Sequence, residues 1–195
     1  MRGLRCALCL AFAAGAAGLR FRTSVAAATV AQPRRQVFGA ALAGLAGGGA
    51  ARAAVALEPK SGKLGAAELA KIVTADVVDR QFLATADFTR SLYDESATFT
   101  DEIDTYTLDK FIKGTKKLFV ADRSAVTLTS PVTVDDSKAE FKFSEYLCFN
   151  LPFVKPTVYV SGRVVLTRDP TTGLFVAYRE YWDQSPADVI KKAKL

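Results

Sequence analysis

Between residues 125 and 183 the chain is written largely in a period of two, and this narrows the folds open to it more than any other feature. In residues 139–149, Phe141, Phe143, Leu147 and Phe149 fall on one side, with Glu145 the exception; Lys142, Ser144 and Tyr146 fall on the other. Residues 157–168 alternate again, with Val158, Val160, Val164 and Leu166 in phase. Successive side chains of a strand point to opposite faces, so each run predicts a strand with one buried face. The segment Arg168-Asp169-Pro170-Thr171-Thr172-Gly173 reads as a hairpin connection into a last strand over 174–183, because proline presets φ and glycine accepts φ > 0. AVTLTSPVTV (125–134) is β-branched but broken by Pro131, which predicts an edge or a bulge. LPFVKP (151–156) reads as a loop held by two prolines.

The preceding stretch has a different period. In residues 64–93, Leu69, Ile72 and Val73 share a face, and Val78, Phe82, Ala86 and Tyr93 recur at three- and four-residue steps. This predicts two consecutive helices, the second capped by Thr85 with Asp87. ATFTDE (97–102) reads as a strand and 103–107 as a turn or short return strand. Thr107 can cap a helix over 108–119, with Leu108, Phe111, Ile112, Leu118 and Phe119 as its apolar stripe and Gly114 as its one weak point. Ser185-Pro186-Ala187-Asp188 opens a short terminal helix. Helices followed by a run of antiparallel strands predict an α+β domain with helices on one face of a curved sheet.

The net charge of +6 belongs to one end of the chain. Residues 1–56 hold seven arginines and no acid, which leaves nineteen basic and twenty acidic side chains in residues 57–195, a net charge of −1. No chain-wide cationic bias therefore points to nucleic acid. Lys113, Lys116 and Lys117 form a local basic run that reads as the solvated face of a helix. Cys148 is the sole cysteine after residue 56, so that part can form no internal disulfide and the residue reads as a small buried hydrophobe. Histidine is absent, which removes Ser-His-Asp and Cys-His catalysis and His-ligated zinc. No dinucleotide fingerprint, phosphate loop or metal-ligand spacing is present, so no cofactor and no metal are expected.

The arginine-rich leader reads in three parts. Residues 1–19 have a basic start and the apolar stretch CALCLAFAAGAAGL, the shape of a secretory signal peptide. Residues 20–33 are rich in Arg, Ser, Thr and Ala, like a transit peptide. Arg34-Arg35, then a weakly apolar Gly/Ala stretch ending at Ala54-Val55-Ala56, is similar to a twin-arginine signal with its A-x-A cleavage site. In series these predict a removed leader over 1–56, a working domain over 57–195, and delivery to a thylakoid lumen.

Three passages resemble the nuclear transport factor 2-like superfamily, and within it the SnoaL-like branch. LYDESATFTDEIDTYT (92–107) is similar to that family's first strand and turn, TLDKFIKGTKKLF (107–119) to its third helix, and GRVVLTRDPTTGLFVAYREYWDQSP (162–186) to its final hairpin. The ending Tyr181-Trp182-Asp183 is similar to that of plastid-targeted SnoaL-like proteins of unknown function. The resemblance implies a cone-shaped domain: a curved antiparallel sheet, three helices on its concave side, and a cavity between them. Members include isomerases, cyclases, dehydratases, epoxide hydrolases, binders and scaffolds, so the fold leaves the activity open.

Asp101 is the candidate for acid–base chemistry, since the resemblance places an acidic position there near the cavity mouth, and an apolar pocket raises a carboxyl pKa. Tyr93, Tyr106, Tyr159, Arg163, Tyr178 and Trp182 are candidate pocket residues. Arg163, Arg179, Glu180 and Asp183 lie on the last hairpin, where a structural cross-strand ion pair is expected. A one-residue slip in register decides which of these strand residues face the core, and the turn sequence leaves both registers open. The leading expectation is a lumenal domain that binds a small apolar ligand without catalysis or attaches to a photosynthetic membrane complex. The alternatives are an isomerase, dehydratase or hydrolase using Asp101 with a tyrosine, and a homodimeric scaffold.

Overall fold

The computed structural model describes residues 59–195; the leader residues Arg34, Arg35, Ala54 and Ala56 lie outside them. The elements in chain order are α1 (Ala66–Val78), α2 (Phe82–Thr85), β1 (Tyr93–Thr100), β2 (Thr105–Thr107), α3 (Leu108–Leu118), β3 (Ala125–Leu128), β4 (Thr133–Val134), β5 (Lys138–Cys148), β6 (Thr157–Arg168), β7 (Phe175–Trp182) and α4 (Pro186–Lys191), with single 3-10 turns at Arg90–Leu92 and Ala121–Arg123. The strands form one open, curved sheet in the order β2-β1-β7-β6-β5-β3, with β4 also on β5. The architecture is α+β, as expected.

The longest ladder pairs β5 with β6, from Lys138 opposite Thr167 to Cys148 opposite Thr157. Phe141, Phe143, Leu147, Val158, Val160, Val164 and Leu166 are all buried on its inner face, as their alternation requires. Pro131 separates β3 from β4, and both short strands pair with β5. Gly173 turns the β6–β7 connection at φ +73°, where a side chain would be strained. The sheet is mixed rather than antiparallel throughout: β1 lies parallel to β7, Phe99 opposite Tyr178. Local alternation cannot signal such a pairing, because its partners are separated by most of the domain.

Helix α1 contributes Leu69, Val73 and Val77 to the core beside β3 and β4. The second helix expected after Thr85 does not form: α2 is a single turn that ends at Thr85, and the 3-10 turn Arg90–Leu92 and β1 follow. Gln81 and Ala86 on either side of α2 are left-handed, at φ 57° and 51°, so the helical path breaks at both. Thr85 closes that turn, its hydroxyl accepting from Asp87 N at 3.0 Å rather than capping a new helix. Tyr93 therefore starts β1. Gln81 then ties α1 to the sheet: its Oε1 accepts from Val126 N at 2.6 Å, while its Nε2 donates to Val126 O at 3.0 Å and Val78 O at 2.7 Å. Thr107 caps α3 and Ser185 caps α4, which has proline in its first turn, as predicted. Among the described residues no helix is long and apolar enough to cross a membrane.

Candidate functional site

The inner face of the sheet and α3 enclose a cavity of about 130 Å³. For scale, an engineered apolar cavity of about 150 Å³ takes up benzene. The strands supply its floor through Leu147, Val158 and Val160, which are buried. Helix α3 supplies one wall through Phe111, Gly114, Thr115 and Leu118. Lys110 and Gly114 are exposed, so the cavity opens along the flank of α3.

The polar groups in this apolar space include three acids, Asp101, Glu145 and Glu180, beside Tyr106, Thr115, Trp182 and the rim residue Lys110. Glu145 is 3 % exposed and Glu180 8 %. They come from β5 and β7, on either side of β6, and each takes an inward position in its strand.

Their surroundings differ in a way that matters chemically. Both oxygens of Glu180 are held: the Tyr178 hydroxyl donates to Oε2 and the Trp182 indole N–H donates to Oε1. Burial pushes the Glu180 carboxyl up to about 7, against the pull of these two donors and of Arg179. Glu145 has Oε2 buried with no hydrogen-bond partner among the described residues. Burial, with the nearby negative charge of Glu180 and Asp101, holds the Glu145 carboxyl well above the ordinary range, which favours its protonated form. Glu180 thus has two donors that favour its charged form, and Glu145 Oε2 has none among the described residues.

Asp101 lines the cavity, but its Oδ1 accepts from Ile103 N at 2.7 Å and Asp104 N at 2.9 Å, which fixes the β1–β2 turn. Burial raises its carboxyl pKa and these backbone donors oppose the rise. The Arg179 guanidinium braces the same turn, donating to Asp101 O and, at 2.9 Å, to Glu102 Oε1. Tyr106 is half-buried in the lining, and burial raises its hydroxyl pKa.

The remaining candidates separate by register. Tyr181 stands opposite Arg163, so Tyr178, Glu180 and Trp182 face inward while Arg163, Arg179, Tyr181 and Asp183 face outward. Arg163 therefore does not line the cavity; it approaches Glu140 at 3.6 Å across the β5–β6 ladder and stacks 4.1 Å from the Tyr181 ring centroid. Tyr159 is likewise outside the cavity: strand parity places it on the outer face, exposed, with its ring 5.1 Å from that of Tyr146. Tyr93 is buried in the aromatic core against Phe88, Phe99 and Phe175, away from the lining. Tyr178 stacks on Phe99 at 5.0 Å and reaches the site only through Glu180. The sequence suggests Glu180 only for a cross-strand ion pair, but its oxygens go to Tyr178 and Trp182 while Arg163 and Arg179 meet Glu140 and Glu102. The signal for Glu145 was its place as the one acid on an otherwise apolar strand face.

No family model matches the sequence, and no curated protein matches it. Solved structures do. One named as a SnoaL-like polyketide cyclase, from Jannaschia sp. CCS1, has a TM-score of 0.47 at 14% identity, covering 60% of this chain and 87% of its own. An epoxide hydrolase-like protein from M. tuberculosis gives 0.44 at 15%, with coverages of 65% and 89%. A nuclear transport factor 2-like superfamily protein from Salmonella enterica gives 0.45 at 13%, with coverages of 62% and 92%. The structural neighbours are thus SnoaL-like and nuclear transport factor 2-like proteins. The roles assigned below rest on the geometry of this chain alone.

Proposed function

We propose that the cavity binds a small, mainly apolar molecule bearing a carbonyl group and moves a proton on it. The carrying observation is the pair of buried glutamates with unequal surroundings: Glu180 gripped by Tyr178 and Trp182, Glu145 with an unpartnered oxygen. A buried polar atom without a partner costs about 1–3 kcal/mol, and a bound ligand is what would satisfy it. Two acids in one cavity whose environments set different protonation states form an acid–base pair.

The Glu180 carboxylate takes a proton from a carbon beside the carbonyl. The electron pair left behind moves into the carbonyl as Glu145 gives its proton to the oxygen, forming an enol. Where a double bond lies one carbon further on, the enol is a dienol: Glu180 returns the proton to its far carbon and the enol oxygen gives its proton back to Glu145, completing an isomerisation. Where that next carbon carries a hydroxyl, Glu180 gives its proton to the hydroxyl, which leaves as water as the enol oxygen returns its proton to Glu145, completing a dehydration. Asp101 holds the mouth turn in this scheme, and Tyr178 and Trp182 orient the base. The scheme needs neither attachment to a photosynthetic complex nor a second copy of the chain. Its place of work in this reading is the thylakoid lumen, supported by the leader residues alone.

The test uses cyclohexanone and 2-cyclohexenone as probes, a size the cavity volume admits. In D₂O, followed by NMR, the wild-type chain exchanges the protons beside the carbonyl faster than buffer, and Glu180→Gln does not. Wild-type exchange no faster than that of Glu180→Gln would sink the proposal.

A further inference from the structure

The connection from β5 to β6 carries a residue that the fold leaves bare. Phe153 is 106 % exposed, and its backbone sits at φ 68°, a region that bulky side chains rarely adopt. No packing of its ring compensates for that conformation. Pro152 and Lys155 beside it are exposed, and Leu151 and Val154 are half-buried.

This loop is anchored to the end of α3. Asn150 N donates to Leu118 O at 2.7 Å, Phe149 N closes the loop on Pro156 O at 2.8 Å, and the rings of Phe119 and Phe149 meet at 5.2 Å. Lys155 reaches back to Asn150 Oδ1. The tip of the loop thus stands beside a helix with four exposed lysines: Lys110, Lys113, Lys116 and Lys117. Lys110, Lys113 and Lys117 are three and four residues apart and share a flank. None of the four is in an ion pair among the described residues, and the acid of that helix, Asp109, is taken by Arg90 at 3.3 Å. Nearby, Asp122 is offset by its neighbour Arg123. An unsupported aromatic at a loop tip anchored to the end of a lysine-rich helix complements a surface that is negative outside and apolar beneath.

We infer that this end of the molecule docks on an anionic lipid surface, with Phe153 inserted among the acyl chains and the lysines of α3 on the headgroups. Lys110 also lines the cavity, so docking brings one edge of the mouth to the bilayer, where small apolar molecules partition. The docking stands on its own observations and does not depend on the proton chemistry.

The test is made on the full chain, with a reporter at the loop itself so that binding through the leader is told apart. Phe153→Trp is mixed with vesicles of 30 mol% phosphatidylglycerol in phosphatidylcholine, and with phosphatidylcholine alone; the wild-type chain, which has Trp182, supplies the background. Expected are a blue shift and at least two-fold quenching by brominated acyl chains on the anionic vesicles only. Lys113→Glu/Lys116→Glu/Lys117→Glu in the Phe153→Trp chain should weaken binding at least ten-fold. Sedimentation with vesicles while the residue-153 signal stays unchanged would overturn the inference, because another part of the chain would then be holding the protein. Equal insertion into neutral vesicles would overturn the role of the lysines. A shift produced by soluble polyglutamate and not by vesicles would replace the lipid with an acidic protein surface.

Discussion

Replacing Glu180 with glutamine should remove most of one pH dependence of folding stability. Folding raises the Glu180 carboxyl from an ordinary 4.5 to about 7, chiefly by burial. Between those values the folded state keeps a proton that the unfolded state has released, so the unfolded state binds fewer protons and stability falls as pH rises. The contribution is whole below pH 4.5 and is lost by the time the pH has passed about 7. Each pH unit between the two values corresponds to about 1.4 kcal/mol, so the loss amounts to about 3 kcal/mol, or roughly 10 °C in Tm for a domain of this size. Asp76, Asp101 and Glu145 are raised by burial too and add to the loss in the same direction. The chain has no histidine. Acids held low by partners, such as Glu95 at about 2 beside Arg90 and Lys60, contribute stability that is lost only on acidification, outside the range from 5 to 8. Glutamine keeps an acceptor for Trp182, and the Tyr178 hydroxyl can turn to accept from its amide. Thermal unfolding followed by circular dichroism at pH 5, 6, 7 and 8 should show the wild type losing Tm steadily, with Glu145 adding in the same direction, and Glu180→Gln losing clearly less. Parallel curves for the two proteins would refute both the burial argument and the assignment of Glu180 as the titrating base.

Two glycines carry further expectations. A methyl group at Gly114 meets nothing within 4 Å, so Gly114→Ala should stabilise α3 by up to about 1 kcal/mol in urea unfolding, whereas Gly114→Phe, filling the mouth, should abolish exchange of cyclohexanone with the fold intact. At Gly162 a Cβ would stand 2.0 Å from Tyr181 O, so Gly162→Ala should force β6 and β7 apart and lower stability by about 1–3 kcal/mol in the same assay.

Much of the layout could be read from local chemistry. The alternation in β5 and β6, the Pro131 break, the Gly173 turn and the Thr107 and Ser185 caps each depend on neighbours within a few residues. What escaped such reading depends on distant partners. The spacing of Phe82, Ala86 and Tyr93 suits a helix and also suits a core reached by a broken path; the left-handed Gln81 and Ala86 choose the second. The register of β7 sets which of Arg163, Tyr178 and Trp182 face inward, and an irregularity at Thr167/Arg168 intervenes in that ladder. Glu145 and Glu180 meet one cavity only because β6 lies between their strands, an adjacency with no trace in either segment alone.

The position of β7 also orders the assembly of the molecule. It lies between β1 and β6, and β1 has no neighbour other than β7 and the three-residue β2. A nascent chain that has emerged only as far as β6 therefore has a first strand paired with β2 alone. Closure of the sheet waits for the last strand, which unites segments some eighty residues apart, as with Phe99 and Tyr178. Until synthesis is nearly complete the polypeptide is held open by its own topology, and a chain cut short before β7 leaves β1 and Phe99 without their seat.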